Sequence, residues 1–122
     1  MPFEFEVLTD TRTILARSHG IGSLDDILHA SETLEALLAE HRGHRLVIDN
    51  TGYNFNADTA DLERITKRLG AMRAVLPDRI GVVVRPGVQF GIGRMFGTFA
   101  GFAGVDVVVT STVAAALEAL DK

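Results

Sequence analysis

A chain of 122 residues, 47% of them hydrophobic, is long enough for one domain with its own core and too apolar to be disordered. The absence of cysteine excludes disulfides, thiolate metal sites and thiol nucleophiles, and it fits a reducing compartment, so we expect a cytoplasmic protein. Acidic residues outnumber basic ones by 16 to 12, which disfavours nucleic acid as the main partner.

The first two predicted elements form a hairpin. Residues 3–7 alternate phenylalanine or valine with glutamate, which indicates a strand with one solvent-facing side and not a signal peptide. A second strand is predicted over 13–17, and the connection is too short for a crossover, so the pair is expected to be antiparallel. Residues 18–22 are predicted to form a loop.

The next segment predicts a helix, a strand and a loop. Ser23 is placed to cap the helix, apolar residues recur at helical spacing after it, and Gly43 ends it. Residues 45–49 then form the predicted strand. The polar residues 50–57 are predicted to form the loop that follows it.

The second half of the chain repeats this alternation of helix and strand. The second helix is predicted to end at Pro77, and strands are predicted over 80–84 and 105–109. A third helix is predicted over 88–103, and a final helix follows the last strand. Residues 88–109 are strongly apolar, but a charge and several glycines interrupt them, so no membrane span is expected.

The order β-β-α-β-α-β-α-β-α predicts a single α/β domain over 1–122 with a mostly parallel five-stranded sheet and an antiparallel edge strand. Alternation within the strands makes one sheet face strongly apolar and gives the other an apolar centre. This second face needs cover from a terminal helix or from a second subunit in a homodimer. Of these two alternatives we favour the terminal helix.

Two segments resemble the small SpoIIAA-like (STAS-like) proteins. Residues 90–96 look like the Phe-Gly-x-x-Arg-Met-Phe helix start that recurs in them. The second segment is similar to the STAS pattern: a strand that ends in Asp49 is followed by a polar loop and by Asp58-Thr59 at a helix start. The resemblance covers essentially the whole chain. It implies a SpoIIAA-like βα superhelix and a non-enzymatic module that binds a protein or regulates one. Such proteins are often grouped with the CRAL-TRIO lipid-binding fold, which implies, as the alternative, a carrier or sensor of a small lipophilic or anionic ligand.

The resemblance also implies a candidate phosphorylation switch. In STAS-class anti-sigma-factor antagonists the residue that opens the helix after Asp is phosphorylated, and the matching residue is Thr59. The Asp-Ser-x-Gly signature is replaced here by Asp58-Thr59-Ala60-Asp61. Capping of the helix by Asp58 or Thr59 explains the same residue types, and we favour that interpretation. Together with Asp49, these two residues form the candidate switch or partner surface.

Glycine and arginine set apart the third predicted helix. Glycine recurs at every fourth residue over 93–101, which favours close packing of one helix face; a lipophilic ligand beneath a shifting helix is the alternative. Arg94 is the one charge in this helix. It can extend to the surface or pair with a carboxylate such as Asp49 or Asp106, or it can instead receive an anionic head group or phosphate; we favour pairing. Phe90 and Arg94 are candidates for a ligand or partner surface.

Tyr53, Asn54 and Phe55 complete that candidate surface. They follow the C-terminal end of a strand, where open α/β sheets bind ligands. The alternative, which has equal weight, is a loop that folds Tyr53 and Phe55 back over the core.

No catalytic constellation stands out in the chain. The serines lie in loop, cap or helix contexts, the four histidines lack metal-ligand spacing, and the glycines before the third helix lack the phosphate-loop pattern. We therefore predict a protein that is not an enzyme and that holds no metal or cofactor. Its expected partner is a protein or a small lipophilic ligand.

Overall fold

Residues 2–121 are described by a computed structural model, and within them lie one five-stranded sheet and four helices. The strands are β1 (Phe3–Leu8), β2 (Thr13–Ile21), β3 (Arg45–Asn54), β4 (Arg79–Val83) and β5 (Asp106–Thr110), and the helices are α1 (Leu24–Glu40), α2 (Thr59–Ala71), α3 (Val88–Phe102) and α4 (Val113–Leu120). The strands lie side by side in chain order. β1 pairs antiparallel with β2 and all other neighbours are parallel, which confirms the predicted α/β class and the antiparallel edge strand.

Helices α1, α2 and α3 cover one face of the sheet. Leu38 of α1, Leu69 of α2 and Ala100 of α3 pack in one core with Ile14 and Leu46 from the strands. The strand residues of this core point to the same side because side chains alternate along a strand. This is the strongly apolar face that the sequence predicts.

Helix α4 covers the centre of the opposite face. Ala116 packs there with Leu15, Val47 and Val83 from three neighbouring strands. The fit is close, since a Cβ atom added at Gly81 of β4 would lie 3.1 Å from the Cβ of Ala116. Helix α4 therefore covers the second sheet face, as the favoured alternative predicted.

Both central strands are longer than predicted. β2 continues to Ile21 and β3 to Asn54, so the loops expected over 18–22 and 50–57 are wrong in their first parts. Within residues 2–121, β2 and β3 pair only with each other beyond Ser18 and Asp49, past the last pairs with β1 and β4. The pairing of Ile21 with Asn54 is the last in this register.

The end of α2 also differs from the prediction. The helix ends at Ala71, six positions before Pro77, and Met72 is its C-cap. Met72 and Leu76 are buried, but they belong to the turns that follow the helix, where the Leu76 amide donates to the Met72 carbonyl at 3.2 Å. Within residues 2–121, no helix combines the length and apolar character needed to cross a membrane.

Candidate ligand-binding cavity

A β-bulge shapes the far end of β3. Arg17 of β2 pairs with Asp49 and His19 pairs with Gly52, so two residues of β3 stand opposite one residue of β2. A bulge of this kind shifts the alternation of side chains by one position. As a result Asn50 and Tyr53, which are three residues apart, both line the same side of the sheet.

On that side a cavity of about 170 Å³ lies between the sheet and helices α1, α2 and α3. Its wall is largely apolar and contains five of the eight aromatic side chains in the chain, which has seven phenylalanines and one tyrosine. The aromatic members of the wall are Phe3, Phe5, Tyr53, Phe55 and Phe96. Its polar members are Ser31, Asn50, Arg68 and Gln89, with the hydroxyl of Tyr53.

Tyr53 is the centre of the aromatic part of the wall and is only 4% exposed. Its ring centroid lies 5.2 Å from that of Phe3 and 6.4 Å from that of Phe55, both in tilted or edge-on contact. The backbone amide of Ser23 donates to the Tyr53 hydroxyl at 3.2 Å, which ties the ring to the start of α1. Gly22 lies against the ring so closely that any Cβ there would overlap it.

Beyond the end of β4, the side chains of Arg85 and Gln89 donate hydrogen bonds to the backbone carbonyls of β3. The Arg85 guanidinium donates to the carbonyl of Thr51 and, at 3.2 Å, to that of Tyr53. Gln89 Nε2 donates to the carbonyls of Asn50 and Tyr53 at 2.8 and 3.1 Å. These two side chains take the place of a strand, because buried backbone carbonyls need a hydrogen-bond donor.

Among the described residues 2–121, Arg68 is the one charged side chain in the cavity wall. Its Nε donates to Ser31 Oγ at 2.8 Å and its Nη2 to Glu35 Oε1 at 2.7 Å. Ser31 Oγ in turn donates to the Leu28 carbonyl at 2.6 Å. The guanidinium charge is therefore already balanced by a carboxylate outside the wall.

The burial of Tyr53 raises the pKa of its hydroxyl, because burial opposes the charged phenolate; the Ser23 amide partly offsets this and the charge of Asp26 adds to it. The free energy of unfolding is expected to fall as pH rises above about 10, the ordinary pKa of tyrosine, because the unfolded chain then loses this proton before the folded chain does. Tyr53 is the only tyrosine, so its ultraviolet absorbance can be titrated alone. We expect a higher midpoint for the folded protein than for the protein in guanidinium chloride; equal midpoints would contradict the burial of the hydroxyl.

The predicted residues Tyr53 and Phe55 both lie in the cavity wall, and Tyr53 is buried, while their contact with a ligand stays a prediction. Asn54 is exposed beside them, and its Oδ1 accepts a hydrogen bond from Arg85 at 3.4 Å. The structure thus brings two of these three residues into one site and leaves Asn54 at its margin.

The candidate switch residues lie elsewhere. Asp49 lies 3.9 Å from Arg17 and also accepts hydrogen bonds from Thr51, on the sheet face opposite the cavity. Asp58 is the N-cap of α2 and forms a capping box with Asp61, as the favoured interpretation expected. Thr59 is exposed as the first residue of that helix. Its phosphorylation stays a prediction.

Phe90 and Arg94 lie on the exposed side of α3 and do not line the cavity. The expected pairing of Arg94 with Asp49 or Asp106 is wrong, because those carboxylates lie beside Arg17 and Arg79 instead. Arg94 is exposed and needs no ion pair to offset burial.

The glycine repeat of α3 packs against the sheet only in part. A Cβ at Gly93 would lie 3.4 Å from Val84 and Val109, and at Gly97 it would reach 3.7 Å from Val107, but at Gly101 it would meet nothing within 4 Å. A helix turns by about 100° per residue, so every fourth residue drifts by roughly 40° around the axis. The repeat therefore leaves the contact face by its third glycine.

The cavity also uses residues that the sequence did not single out as candidates. Phe3 and Phe5 share the inner face of β1, and their alternation with glutamate could have suggested this. Arg68 and Gln89 gave no signal, since single polar residues on a helix usually face solvent. Asn50 continues the alternation of Leu46 and Ile48 onto the cavity side, but as a polar residue after the predicted strand it was assigned to a loop.

Comparison of the chain with protein-family models, with curated proteins and with solved structures gave no significant match. Within residues 2–121, no group of three or more histidine, aspartate or glutamate side chains is placed to hold a metal ion. The expectation of a protein-binding or regulatory module stays a prediction.

Proposed function

We propose that the protein is a small-molecule-binding module that holds one small, mainly apolar ligand between its sheet and helices α1, α2 and α3. The observation that carries this proposal is the cavity of about 170 Å³ with its aromatic and aliphatic wall. Ligand sites are concave recesses lined mainly by apolar and aromatic side chains with a few polar groups. This cavity is partly open to solvent and has such a lining, so it can bury most of a small apolar ligand.

The size and lining of the cavity limit what it can hold. An apolar protein cavity of about 150 Å³ accepts benzene and stays free of water. Water needs two to four polar partners in a cavity, whereas most polar atoms in this wall already bond to protein groups. A ligand with one aromatic ring, or an aliphatic chain of similar volume, fits both observations.

We further propose that the module is SpoIIAA-like. The order of its elements, the antiparallel edge strand and the strand order β1-β2-β3-β4-β5 agree with what that resemblance implies. The helix start over 90–96 carries the motif that suggested it.

Filling the cavity should weaken ligand binding strongly. Ala30 of α1 lines the cavity, and Ala30→Phe would place a ring in the space that the ligand needs. With α-methylstyrene as the apolar probe, we expect binding to weaken at least tenfold, measured by ligand-observed NMR and by the rise in melting temperature that a bound ligand causes.

Ala36→Phe is the matched control, because Ala36 is exposed on the same helix and does not line the cavity. It should leave the affinity for α-methylstyrene unchanged. If the parent protein fails to bind this probe and a panel of single-ring and short-chain compounds, or if both variants bind equally well, the cavity is not a ligand site.

A further inference from the structure

The polar atoms of the cavity wall differ in whether their hydrogen-bonding groups all have partners. Gln89 bonds at both its oxygen and its nitrogen, and Ser31 both donates and accepts. Asn50 Oδ1 accepts from Ser18 Oγ at 2.7 Å, whereas Asn50 Nδ2 has no partner within residues 2–121. The Tyr53 hydroxyl accepts from Ser23, and in the same range its own hydrogen has no acceptor.

These unused hydrogens define the polarity of the site. The wall contains no aspartate or glutamate, so it presents hydrogen-bond donors without a carboxylate to receive a ligand donor. Asn50 is half-buried, and a ligand that fills the cavity and supplies an acceptor keeps its donor hydrogen-bonded when water leaves. The ligand is thus expected to carry an acceptor on an apolar body.

The charge in the wall argues against an anion. Arg68 is the only charged lining residue, and Glu35 already neutralises it at 2.7 Å. A carboxylate in the cavity would lose its water without gaining an unpaired cation, which is unfavourable. An uncharged oxygen acceptor avoids this cost.

We infer that the ligand is a small apolar molecule with one uncharged carbonyl oxygen, and that Asn50 Nδ2 donates to this oxygen. This inference rests on the proposed function and gives it a ligand class. Asn50 reaches the cavity side by regular alternation from Ile48, and the bulge that follows it brings Tyr53 to the same side.

Three planar probes of nearly the same shape test the inference: acetophenone carries the uncharged carbonyl, α-methylstyrene replaces its oxygen by CH₂, and benzoate carries a carboxylate. Dissociation constants are measured at pH 7 for the parent protein and for Asn50→Leu. We expect Asn50→Leu to weaken acetophenone binding about threefold to tenfold, the usual net effect of one hydrogen bond, and to leave α-methylstyrene binding unchanged or tighter. Benzoate is expected to bind the parent protein more weakly than acetophenone.

Two further variants make the result specific. Asn50→Asp keeps the oxygen that accepts from Ser18 and removes the donor, so it should also weaken acetophenone binding if Asn50→Leu does not fold. Asn56→Leu, the same substitution at an exposed residue outside the wall, should change nothing.

The outcomes separate the two proposals. If α-methylstyrene binds but acetophenone affinity does not depend on Asn50, or if benzoate binds more tightly than acetophenone, the ligand class is wrong and the binding function stands. If none of the three probes binds, the proposed function fails with it.

Discussion

Gly22→Ala is expected to lower the free energy of unfolding by about 3 kcal/mol, the upper end of the usual range for overpacking a buried site. A methyl group at Gly22 would overlap the ring of Tyr53. That ring cannot easily move, because it packs on Phe3 and Phe55 and its hydroxyl is bonded to the Ser23 amide. Urea unfolding followed by circular dichroism measures the loss.

A double-mutant cycle identifies the cause of this loss. In a Tyr53→Leu background the ring is absent, so the additional cost of Gly22→Ala should fall below about 1 kcal/mol. Gly70→Ala is the control for the substitution itself: a Cβ there meets nothing within 4 Å, and alanine should stabilise α2 by up to about 1 kcal/mol. Equal costs of Gly22→Ala with and without Tyr53 would show that the ring is not the obstacle.

Gly81→Leu is expected to have an effect of similar or greater size on the opposite face of the sheet. The Cβ of any residue there would lie 3.1 Å from Ala116 and 3.6 Å from Leu120, so a leucine side chain has no space beneath α4. We expect a loss of about 3 kcal/mol or more as α4 is displaced, and a smaller loss for Gly81→Ala. Urea unfolding gives both values.

Displacement of α4 has a second measurable result. The apolar residues Leu15, Val47 and Val83 would lose their cover, so Gly81→Leu should associate in a concentration-dependent way in sedimentation experiments. Gly101→Leu is the control, because nothing lies within 4 Å of its Cβ position. A Gly81→Leu variant that stays monomeric with unchanged stability would contradict the close packing of α4.

The centres of the elements were predictable because their patterns are local. The β-branched residues around Ile80 and Val107 indicated strands, and the predicted cap at Ser23 is present, with its Oγ accepting from the Asp26 amide at 3.1 Å. The strand ends were not predictable, since residues such as His19 and Asn50 are polar and their pairing depends on the neighbouring strand rather than on their own sequence.

The site was predictable only where aromatic residues marked it. Tyr53 and Phe55 stood out from a polar segment, and both line the cavity. Phe90 and Arg94 stood out equally, yet they lie on the outer side of α3, because a motif alone does not give the rotation of a helix about its axis. Asn50 escaped detection because the strand was predicted to end at residue 49, whereas β3 continues to Asn54 through its pairing with β2.

The position of β1 at the edge of the sheet has a consequence for how ligand and fold depend on each other. β1 has a strand neighbour on one side only, yet it contributes Phe3 and Phe5 to the cavity wall. Edge and terminal segments open locally at lower free energy than central strands. A ligand that contacts these two rings would hold the N-terminal strand in place, so occupancy of the cavity and local order at the start of the chain are thermodynamically linked.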